Sequence, residues 1–332
     1  MKKHFIYLTT AILVITNVGF AQQRFNVQNG TRTEFYDNLD MALQQAQAGD
    51  TIYLPSGECY AEIDIVIDKT LTLVGVGCEM NELQTVPPTV INRSITFTEN
   101  ANGSLLTGCK FSSHNHYIYS YAQNIQLIRN DISHICIYSE NSNIVIRENK
   151  LTQFVGNSIA SGPCFIENNV FSNYFTGTQW VYPQVSINYS YITNNVFTGV
   201  TYLTGNNCII QNNYISGLYS QSFQATNNVY YNNAFVNDVT FPNGSNTGNN
   251  NLVNQNMYDT FEDYDQGNYH IKTSSPCKNA GIDGTDIGIY GGALPFKDGG
   301  IPFNPHIRPN ISVQADSDGK LHINIIATSQ DR

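Results

Sequence analysis

The chain has 332 residues, of which 41% are hydrophobic and only 13% are charged, whereas about 25% are charged in an average globular protein. Its formal net charge is −10, and residues 151–271 contain no Lys or Arg. A nucleic-acid partner is excluded, because binding a polyanion requires a basic surface. Intrinsic disorder is excluded as well, because 12% of the residues are aromatic.

Asparagine replaces much of the missing charge, with 42 residues in the chain. Asn is a poor former of helix and strand interiors but is favoured in turns. A folded chain of this composition therefore needs many equivalent turn positions, which predicts a repeated structure.

Residues 1–21 have the pattern of a secretory signal peptide. Lys2 and Lys3 provide the positive start, residues 5–18 form an apolar stretch, and small residues precede a cleavage site near Ala21. The stretch is shorter than the ~20 apolar residues of a membrane-spanning helix, and no later segment is apolar enough. We therefore expect a secreted protein, extracellular or periplasmic, with no membrane span.

An amphipathic helix is predicted within an N-terminal segment at 22–50. Gly49 is well placed to end it. Its apolar face consists of Leu39, Ala42, Leu43 and Ala46.

The central part of the chain is a repeat of an apolar-x-x-Asn-x-apolar pattern at intervals of 18 to 26 residues. Apolar and polar residues alternate ahead of each Asn, which is typical of a strand. Asn tolerates the left-handed backbone conformation, so each repeated Asn is predicted to lie in a tight bend. This structural Asn slot is occupied by Asn130, Asn149, Asn169, Asn195, Asn213 and Asn233.

Stacked short strands with such bends predict a parallel β-solenoid. Strands of adjacent coils lie about 4.8 Å apart, so equivalent Asn side chains are expected to hydrogen-bond one another in a ladder. A leucine-rich repeat would need a dense Leu pattern, and a hairpin-based fold would need periodic two-residue turns. Neither is the periodic feature of this chain.

Motifs at both ends of the repeat carry a resemblance to a known family. They are Gly-Asp-Thr-Ile at 49–52, Leu-Thr-Leu-Val-Gly at 71–75, Asn-Ala-Gly at 279–281 and Asp-Ile-Gly at 286–288. With these motifs the chain resembles the right-handed parallel β-helix proteins of the pectin-lyase-like superfamily, and more narrowly the secreted β-helix repeat proteins of Bacteroidota-type bacteria. The resemblance implies an all-β solenoid of ~20-residue coils at 51–292, with the N-terminal helix capping its open end and 279–292 in the last coil.

Beyond the solenoid, residues 293–332 are predicted to form a Pro-rich linker and a C-terminal β-hairpin or tail. Pro295 and Pro302 lie in the linker, and apolar and polar residues alternate around the Asp-Ser-Asp-Gly stretch at 316–319.

Seven cysteines leave at least one free thiol, because their number is odd. Cys59 and Cys78 are separated by about one coil and are the best disulfide candidates. Two buried thiols are the more common arrangement of such a pair.

Motifs that the family uses for catalysis are missing. Hydrolases of this superfold need paired carboxylic acids, and its lyases need a base together with calcium or an Arg. The chain has no Asp-Asp pair and no Asn-Thr-Asp, Gly-His-Gly or Arg-Ile-Lys motif. Whether it is an enzyme therefore stays open at the level of the sequence.

Charged residues concentrate between residues 110 and 150, where equivalent positions of adjacent coils alternate in sign. This pattern predicts pairs of opposite charge between stacked strands, without a catalytic role. The pairs are Lys110 and Lys150 with Asp131, Arg129 with Glu148, and Arg147 with Glu167.

Three histidines in the same region are the candidate catalytic residues. His114 and His134 occupy nearly equivalent positions in adjacent coils, and His116 is close to them. An imidazole can act as a base near neutral pH, and a pair can hold a metal. Exposed loop histidines without a function are the more common alternative.

The longest repeat contains a second candidate site. Its additional residues form a loop at 172–183 that carries Tyr174, Trp180 and Tyr182. Aromatic faces beside amide groups suit neutral sugars, so these residues and Tyr117 are candidate ligand-binding residues. The alternative is that the loop packs its aromatic side chains onto the solenoid wall.

Asp259, Glu262, Asp263 and Asp265 form an acidic cluster that is the weak candidate metal site of the chain. Calcium prefers such oxygen ligands, although a solvated loop is the more frequent structure of an acidic cluster. No other cofactor is expected.

The favoured function is binding of a polysaccharide, a cell-surface glycan or another extracellular ligand without catalysis. A polysaccharide lyase or glycoside hydrolase is one alternative, and a structural or adhesive surface solenoid is another. A monomer is expected.

Overall fold

The chain forms a parallel β-solenoid of about nine coils, which confirms the predicted repeat architecture. The predicted signal peptide and the turn at 316–319 lie outside the described residues. The computed structural model describes residues 24–80, 86–140, 142–156, 162–218 and 224–303, and the backbone of four strands between 306 and 328.

Three sheets form the walls of the solenoid, and we call them faces A, B and C. Face A begins with an antiparallel hairpin, Phe25–Asn29 and Arg32–Tyr36, which pairs with the first parallel strand. The parallel strands of face A are Thr51–Tyr53, Thr72–Val74, Leu105–Thr107, Gln126–Ile128, Val145–Arg147, Phe165–Glu167, Tyr191–Thr193, Ile209–Gln211, Val229–Tyr231 and Thr247–Asn249.

Faces B and C follow face A around each coil. Face B consists of Gly57–Cys59, Thr89–Ile91, Cys109–Phe111, Lys150–Leu151, Val170–Phe171, the start of Val196–Leu203, Tyr214–Leu218 and Ala234–Phe235. Face C consists of Ile65–Ile67, Ile95–Phe97, Tyr117–Ser120, His134–Ile137, Gln153–Gly156, Gln184–Ser186 and the end of Val196–Leu203.

Few other elements occur in the described residues. Helices lie at Leu39–Gln45 and Met257–Thr260, with single 3-10 turns at Glu99–Ala101 and Asp298–Gly300. Antiparallel pairs join Tyr174–Phe175 to Trp180–Val181, Phe261–Asp263 to Asn268–Ile271, His306–Arg308 to Ile326–Thr328, and Val313–Ala315 to Leu321–Ile323. No helix in the described ranges is long and apolar enough to cross a membrane.

The N-terminal helix starts where Asn38 accepts a hydrogen bond from the main chain of Met41, and it buries Leu39 and Ala42. It ends at Gln45 because Ala46 is already extended, so the prediction that Gly49 ends it is wrong. Gly49 lies instead in the turn that leads to the first coil, at φ 89°.

Inward-facing side chains of the strands form one continuous core. On face A the central residue of every parallel strand up to Tyr230 is buried, and so are the inward residues of faces B and C. Each aliphatic side chain buried in this way stabilises the fold by roughly 1.5–3 kcal/mol. In the period-two alternation of the sequence, the apolar residues therefore face the inside of the solenoid and the residues between them face the outside.

The slot asparagines form a buried ladder along the solenoid. Each Nδ2 donates to a main-chain carbonyl of the preceding coil at 2.7–2.9 Å. It also donates at 3.0–3.2 Å to the Oδ1 of the Asn in the next coil. The same Oδ1 accepts a second hydrogen bond, from the main-chain N–H of the donating Asn. The ladder starts at the N–H of Cys109 and ends at Asn251.

The left-handed bend lies one residue ahead of the slot, so the prediction that the slot Asn itself adopts it is wrong. The physical reason is that the slot side chain must point inward to join the ladder, so the residue before it makes the bend. The residue directly ahead of each slot Asn has a φ between 50° and 60°, and these residues are Arg129, Glu148, Asn168, Asn194, Asn212 and Asn232. We call these six residues the corner column.

The corner column holds a C-terminal strap, residues 277–303, which runs back along the outside of the coils. Asn168 donates to the carbonyls of Ile289 and Gly291 at 2.8 and 2.9 Å. At opposite ends of the contact, Asn232 donates to Ala280 and Arg129 donates to Ile301. The motifs at 279–281 and 286–288 therefore lie in this strap rather than in a coil.

Apolar packing against face B completes the attachment of the strap. Outward side chains of face B meet those of the hairpin at 261–271 and of the strap in a second buried cluster. This part of face B is therefore covered by the chain itself. The cluster includes Val170, Val196, Tyr214, Ala234, Phe261, Ile271, Ile287, Ile289 and Phe296.

All seven cysteines are free thiols, so Cys59 and Cys78 form no disulfide. Both are buried, and their thiols donate at 3.7 Å to the carbonyls of Pro55 and Gly299 respectively. Burial raises the pKa of Cys59 to about 12, which keeps this thiol protonated and unreactive.

Candidate functional site

The candidate histidines lie on and beside face C. Tyr117 and His134 are the first residues of adjacent parallel strands and are in register. Because in-register parallel strands are about 4.8 Å apart, equivalent outward side chains stack on one another. The rings of Tyr117 and His134 are accordingly 4.7 Å apart.

Tyr174 joins the two sites that the sequence suggested separately. It lies on the hairpin of the long repeat, and its ring stacks on that of His114 at 4.0 Å with an interplanar angle of 9°. The same ring meets the edge of His134 at 5.9 Å. One predicted ligand-binding residue and two predicted catalytic residues are thus in contact.

The other two candidate ligand-binding residues of this loop, Trp180 and Tyr182, have different ring neighbours. Trp180 lies opposite Phe175 in the hairpin at a ring distance of 5.2 Å, and each is 52% exposed. Tyr182 is 6.5 Å from Tyr202. Tyr174, Trp180 and Tyr182 therefore do not form a single platform.

A continuous series of seven rings results on face C, and we call it the aromatic run. From His134 it continues through Tyr117, with successive ring distances of 4.7, 5.8, 6.4 and 5.0 Å. In spatial order the run consists of His114, Tyr174, His134, Tyr117, Tyr119, Tyr138 and Tyr121.

The imidazoles have hydroxyl and aromatic neighbours. Nδ1 of His114 hydrogen-bonds the hydroxyl of Ser133, and Nδ1 of His116 lies 3.2 Å from the hydroxyl of Ser112. Within the described residues, none of the three imidazoles hydrogen-bonds a carboxylate, and Nδ1 of His134 has no hydrogen-bond partner. The three imidazoles are therefore held by hydroxyl groups and aromatic rings of the protein itself.

Burial keeps His134 neutral. It is only 6% exposed, and desolvation lowers its pKa from the usual 6.5, although a hydrogen bond to the main chain of His114 opposes this shift. Burial, followed by the charge of Arg93, also lowers the pKa of His116.

This depressed pKa predicts a pH-dependent stability that a His134→Gln variant lacks. The unfolded chain binds a proton at His134 near pH 6.5, whereas the folded protein resists protonation to lower pH. The contribution of His134 is therefore complete above pH 6.5 and is lost as the pH falls from there towards the folded pKa.

The measurement is the free energy of unfolding at pH 7.5 and pH 5.5. We expect the loss between these values to be smaller in His134→Gln than in the wild type. His270→Gln, a substitution of an exposed histidine, serves as the control and should retain the wild-type loss. Equal losses in the wild type and His134→Gln would contradict the assignment.

The aromatic run ends at a depression of about 410 Å³ at the corner between faces C and A. The sequence offered a signal for it, because Tyr117, Tyr119 and Tyr121 alternate with the period of a strand and therefore point to one side. The lining residues are Glu99, Asn102, Tyr121, Gln123, Tyr138, Ser139 and Glu140.

A smaller depression of about 240 Å³ lies between the hairpin at 261–271 and the strap. In its wall His270 stacks on Tyr290 at 3.7 Å, and the Tyr290 hydroxyl donates to Asp298 at 2.8 Å. Burial raises the pKa of Tyr290, so its hydroxyl stays protonated as a donor.

The acidic cluster has no convergent geometry. Asp263 accepts a hydrogen bond from the main chain of Gln266, and Asp265 accepts one from the hydroxyl of Tyr258. Across the part of the chain that the structure describes, no three His, Cys, Asp or Glu side chains converge as metal ligands. Asp259 and Glu262 are likewise exposed.

Three of the predicted charge pairs are present between stacked coils, whereas Lys150 pairs with Glu79 and not with Asp131 as predicted. Lys110 and Asp131 are 3.2 Å apart, and Arg147 and Glu167 are 2.7 Å apart. Arg129 and Glu148 are 2.8 Å apart, and each side chain is 1% exposed. These residues are therefore engaged in pairs between coils or with the strap.

No family model matches this chain, and no curated protein is similar to it in sequence.

Proposed function

We propose that the protein is an exported, right-handed β-helix that binds carbohydrate on face C without catalysis. The observation that carries the proposal is the aromatic run, which leads along face C to an open depression lined by amide, hydroxyl and carboxylate groups. The signal-peptide pattern at 1–21 and the resemblance to secreted β-helix proteins support export.

The chemistry of this surface suits a sugar. Pyranose rings offer apolar faces that pack on aromatic rings and hydroxyl groups that need donors and acceptors at the rim. Tyr117 and Tyr119 provide ring surface, whereas Asn102 and Gln123 in the depression provide amides. The strap and hairpin cover part of the outer side of face B, which favours face C as the binding surface.

Binding without turnover is supported by the contacts of the histidines. His114 is engaged with Ser133 and Tyr174, and His134 is packed between aromatic rings. A general base needs access to the proton that it removes. The burial of His134 is poorly suited to that role.

A glycoside hydrolase is the second candidate, because two carboxylic acids line the same depression. Glu99 and Glu140 belong to the first and the third of three successive segments of the corner between faces C and A. Paired carboxylic acids are the requirement of most glycosidases, and their separation determines whether configuration is retained or inverted. This alternative predicts release of reducing ends from any glycan that binds.

The test is a glycan array probed with the purified protein, followed by binding isotherms for each glycan retained. We expect Tyr119→Ala to weaken binding by about tenfold, which corresponds to roughly 1.4 kcal/mol, the upper range for one aromatic contact. Tyr191→Ala is the matched control, since Tyr191 is exposed and, like Tyr119, stacked on a neighbouring ring, but it belongs to face A. It should leave binding unchanged.

A reducing-sugar assay on the retained glycans decides between the two candidates. No product in the presence of saturable binding is the result expected for a binding protein. Product formation that is lost in Glu99→Gln or Glu140→Gln would establish the hydrolase instead. Absence of binding to any glycan would overturn both.

A further inference from the structure

We propose that the depression at the end of the aromatic run, which we call the Tyr121 subsite, prefers a sugar that carries an ammonium group, accepts a neutral sugar and rejects a uronic acid. The inference rests on the proposed function and specifies its ligand class. It is carried by the shape of the depression and by the sign of its charges.

The shape comes from two stacked rings and a fixed rim. Tyr121 and Tyr138 lie 5.0 Å apart at an interplanar angle of 14°, and Tyr121 is 44% exposed, so ring surface is open to a ligand. The volume of about 410 Å³ lies in the range of about 300–1,000 Å³ that is typical of small-ligand sites. One sugar unit at the end of a chain therefore has both a stacking surface and a concave rim beside it.

Hydrogen bonds hold the rim in place. The main-chain N–H of Gln123 donates to Oδ1 of Asn102 at 2.7 Å, and the Gln123 side chain donates to the main-chain oxygen of Glu140 at 3.0 Å. These bonds join three successive segments of the corner. The carboxylate groups of Glu99 and Glu140 lie on this rim, and they take no part in the hydrogen bonds that hold it.

The charge of the subsite is negative. Glu99 and Glu140 line it, and no Lys, Arg or His is among the described lining residues. Neither carboxylate forms an ion pair within the described residues. An ammonium group entering the subsite gains a favourable interaction with both carboxylates, whereas a uronate is repelled by both.

The test compares β-1,4-linked tetrasaccharides of glucosamine, glucose and glucuronic acid by calorimetric titration at pH 6 and low salt. We expect the glucosamine oligomer to bind about fivefold more tightly than the glucose oligomer, and the glucuronic acid oligomer at least fivefold more weakly. Each factor is the effect of a solvent-exposed charge pair. High salt should reduce the differences in affinity among the three oligomers, because exposed charges are screened.

Two variants separate charge from stacking. Glu99→Gln/Glu140→Gln should bind all three oligomers with similar affinity, and Tyr121→Ala should weaken binding of all three by about tenfold. Glu262→Gln is the control, because Glu262 is an exposed carboxylate on the distant hairpin at 261–271, and it should preserve the series.

Failure of this inference is distinguishable from failure of the proposed function. Equal affinities for the three oligomers, tightest binding of glucuronic acid, or no binding of any of them by a protein that retains other glycans on the array would overturn the subsite assignment alone. If the protein binds no glycan at all, the proposed function fails with it.

Discussion

Asn169→Ala is expected to lower the free energy of unfolding by about 3 kcal/mol or more, because it interrupts the buried ladder at its centre. The Asn169 side chain accepts from the main chain and the side chain of Asn149, and it donates to Ile146 and Asn195. The substitution removes all four bonds at a site from which water is excluded. The N–H of Asn149 is then left buried without a partner.

Chemical denaturation, followed by circular dichroism, measures this effect. Asn115→Ala is the control, because Asn115 is exposed and its substitution should change stability by less than about 0.5 kcal/mol. If Asn169→Ala were as stable as Asn115→Ala, the ladder would contribute nothing beyond its strands, contrary to our account.

Breaking the buried ion pair between Arg129 and Glu148 is expected to have an effect of similar size. Burial raises the pKa of Glu148 and lowers that of Arg129, so desolvation opposes both charged forms, and each depends on the other as a partner. Arg129→Met or Glu148→Gln alone should therefore cost about 3–5 kcal/mol.

A double-mutant cycle measures the coupling. The variant with both substitutions should lose much less stability than the sum of the two single variants, because no uncompensated charge stays buried. Additive losses would show that the two side chains act independently and would contradict this account of the pair.

The strap should respond to one of these variants more than to the other. Arg129 donates to the carbonyl of Ile301 at 2.6 Å and lies over the ring of Phe303. Arg129→Met should therefore increase amide hydrogen exchange in the strap beyond the increase seen in Glu148→Gln.

Local patterns account for the part of the fold that the sequence predicts. A strand alternates with period two and stacked coils repeat the same environment, so the slot from Asn130 to Asn233 and the charge pairs are visible as regular spacings. The strap has no such periodicity. Its place depends on hydrogen bonds between residues more than 100 positions apart, such as Asn168 with Ile289.

The corner column shows why the sequence pattern predicts the bend one residue too late. Two adjacent asparagines recur in several coils, as in Asn168 with Asn169, and an Asn at either position suits a bend. Only the direction of each side chain separates them. Asn169 points into the coil and supports the ladder, whereas Asn168 points out and holds the strap.

The sequence predicts which residues belong to the candidate site better than it predicts how their side chains contact one another. The recurrence of His114 and His134 in adjacent coils indicated a common surface. The contact of Tyr174 with both depends on the direction in which the hairpin of the long repeat folds back. The same direction places Trp180 beside Phe175, which residue type alone does not indicate.

Hydrogen–deuterium exchange with and without a glycan retained on the array tests the central claim most directly. Binding at the aromatic run predicts slower exchange in the face C strands Tyr117–Ser120 and His134–Ile137 and in the hairpin at 174–181, with no change in the face A strands Ile209–Gln211 and Val229–Tyr231. Protection confined to face A or to the strap would contradict the assignment of carbohydrate binding to face C.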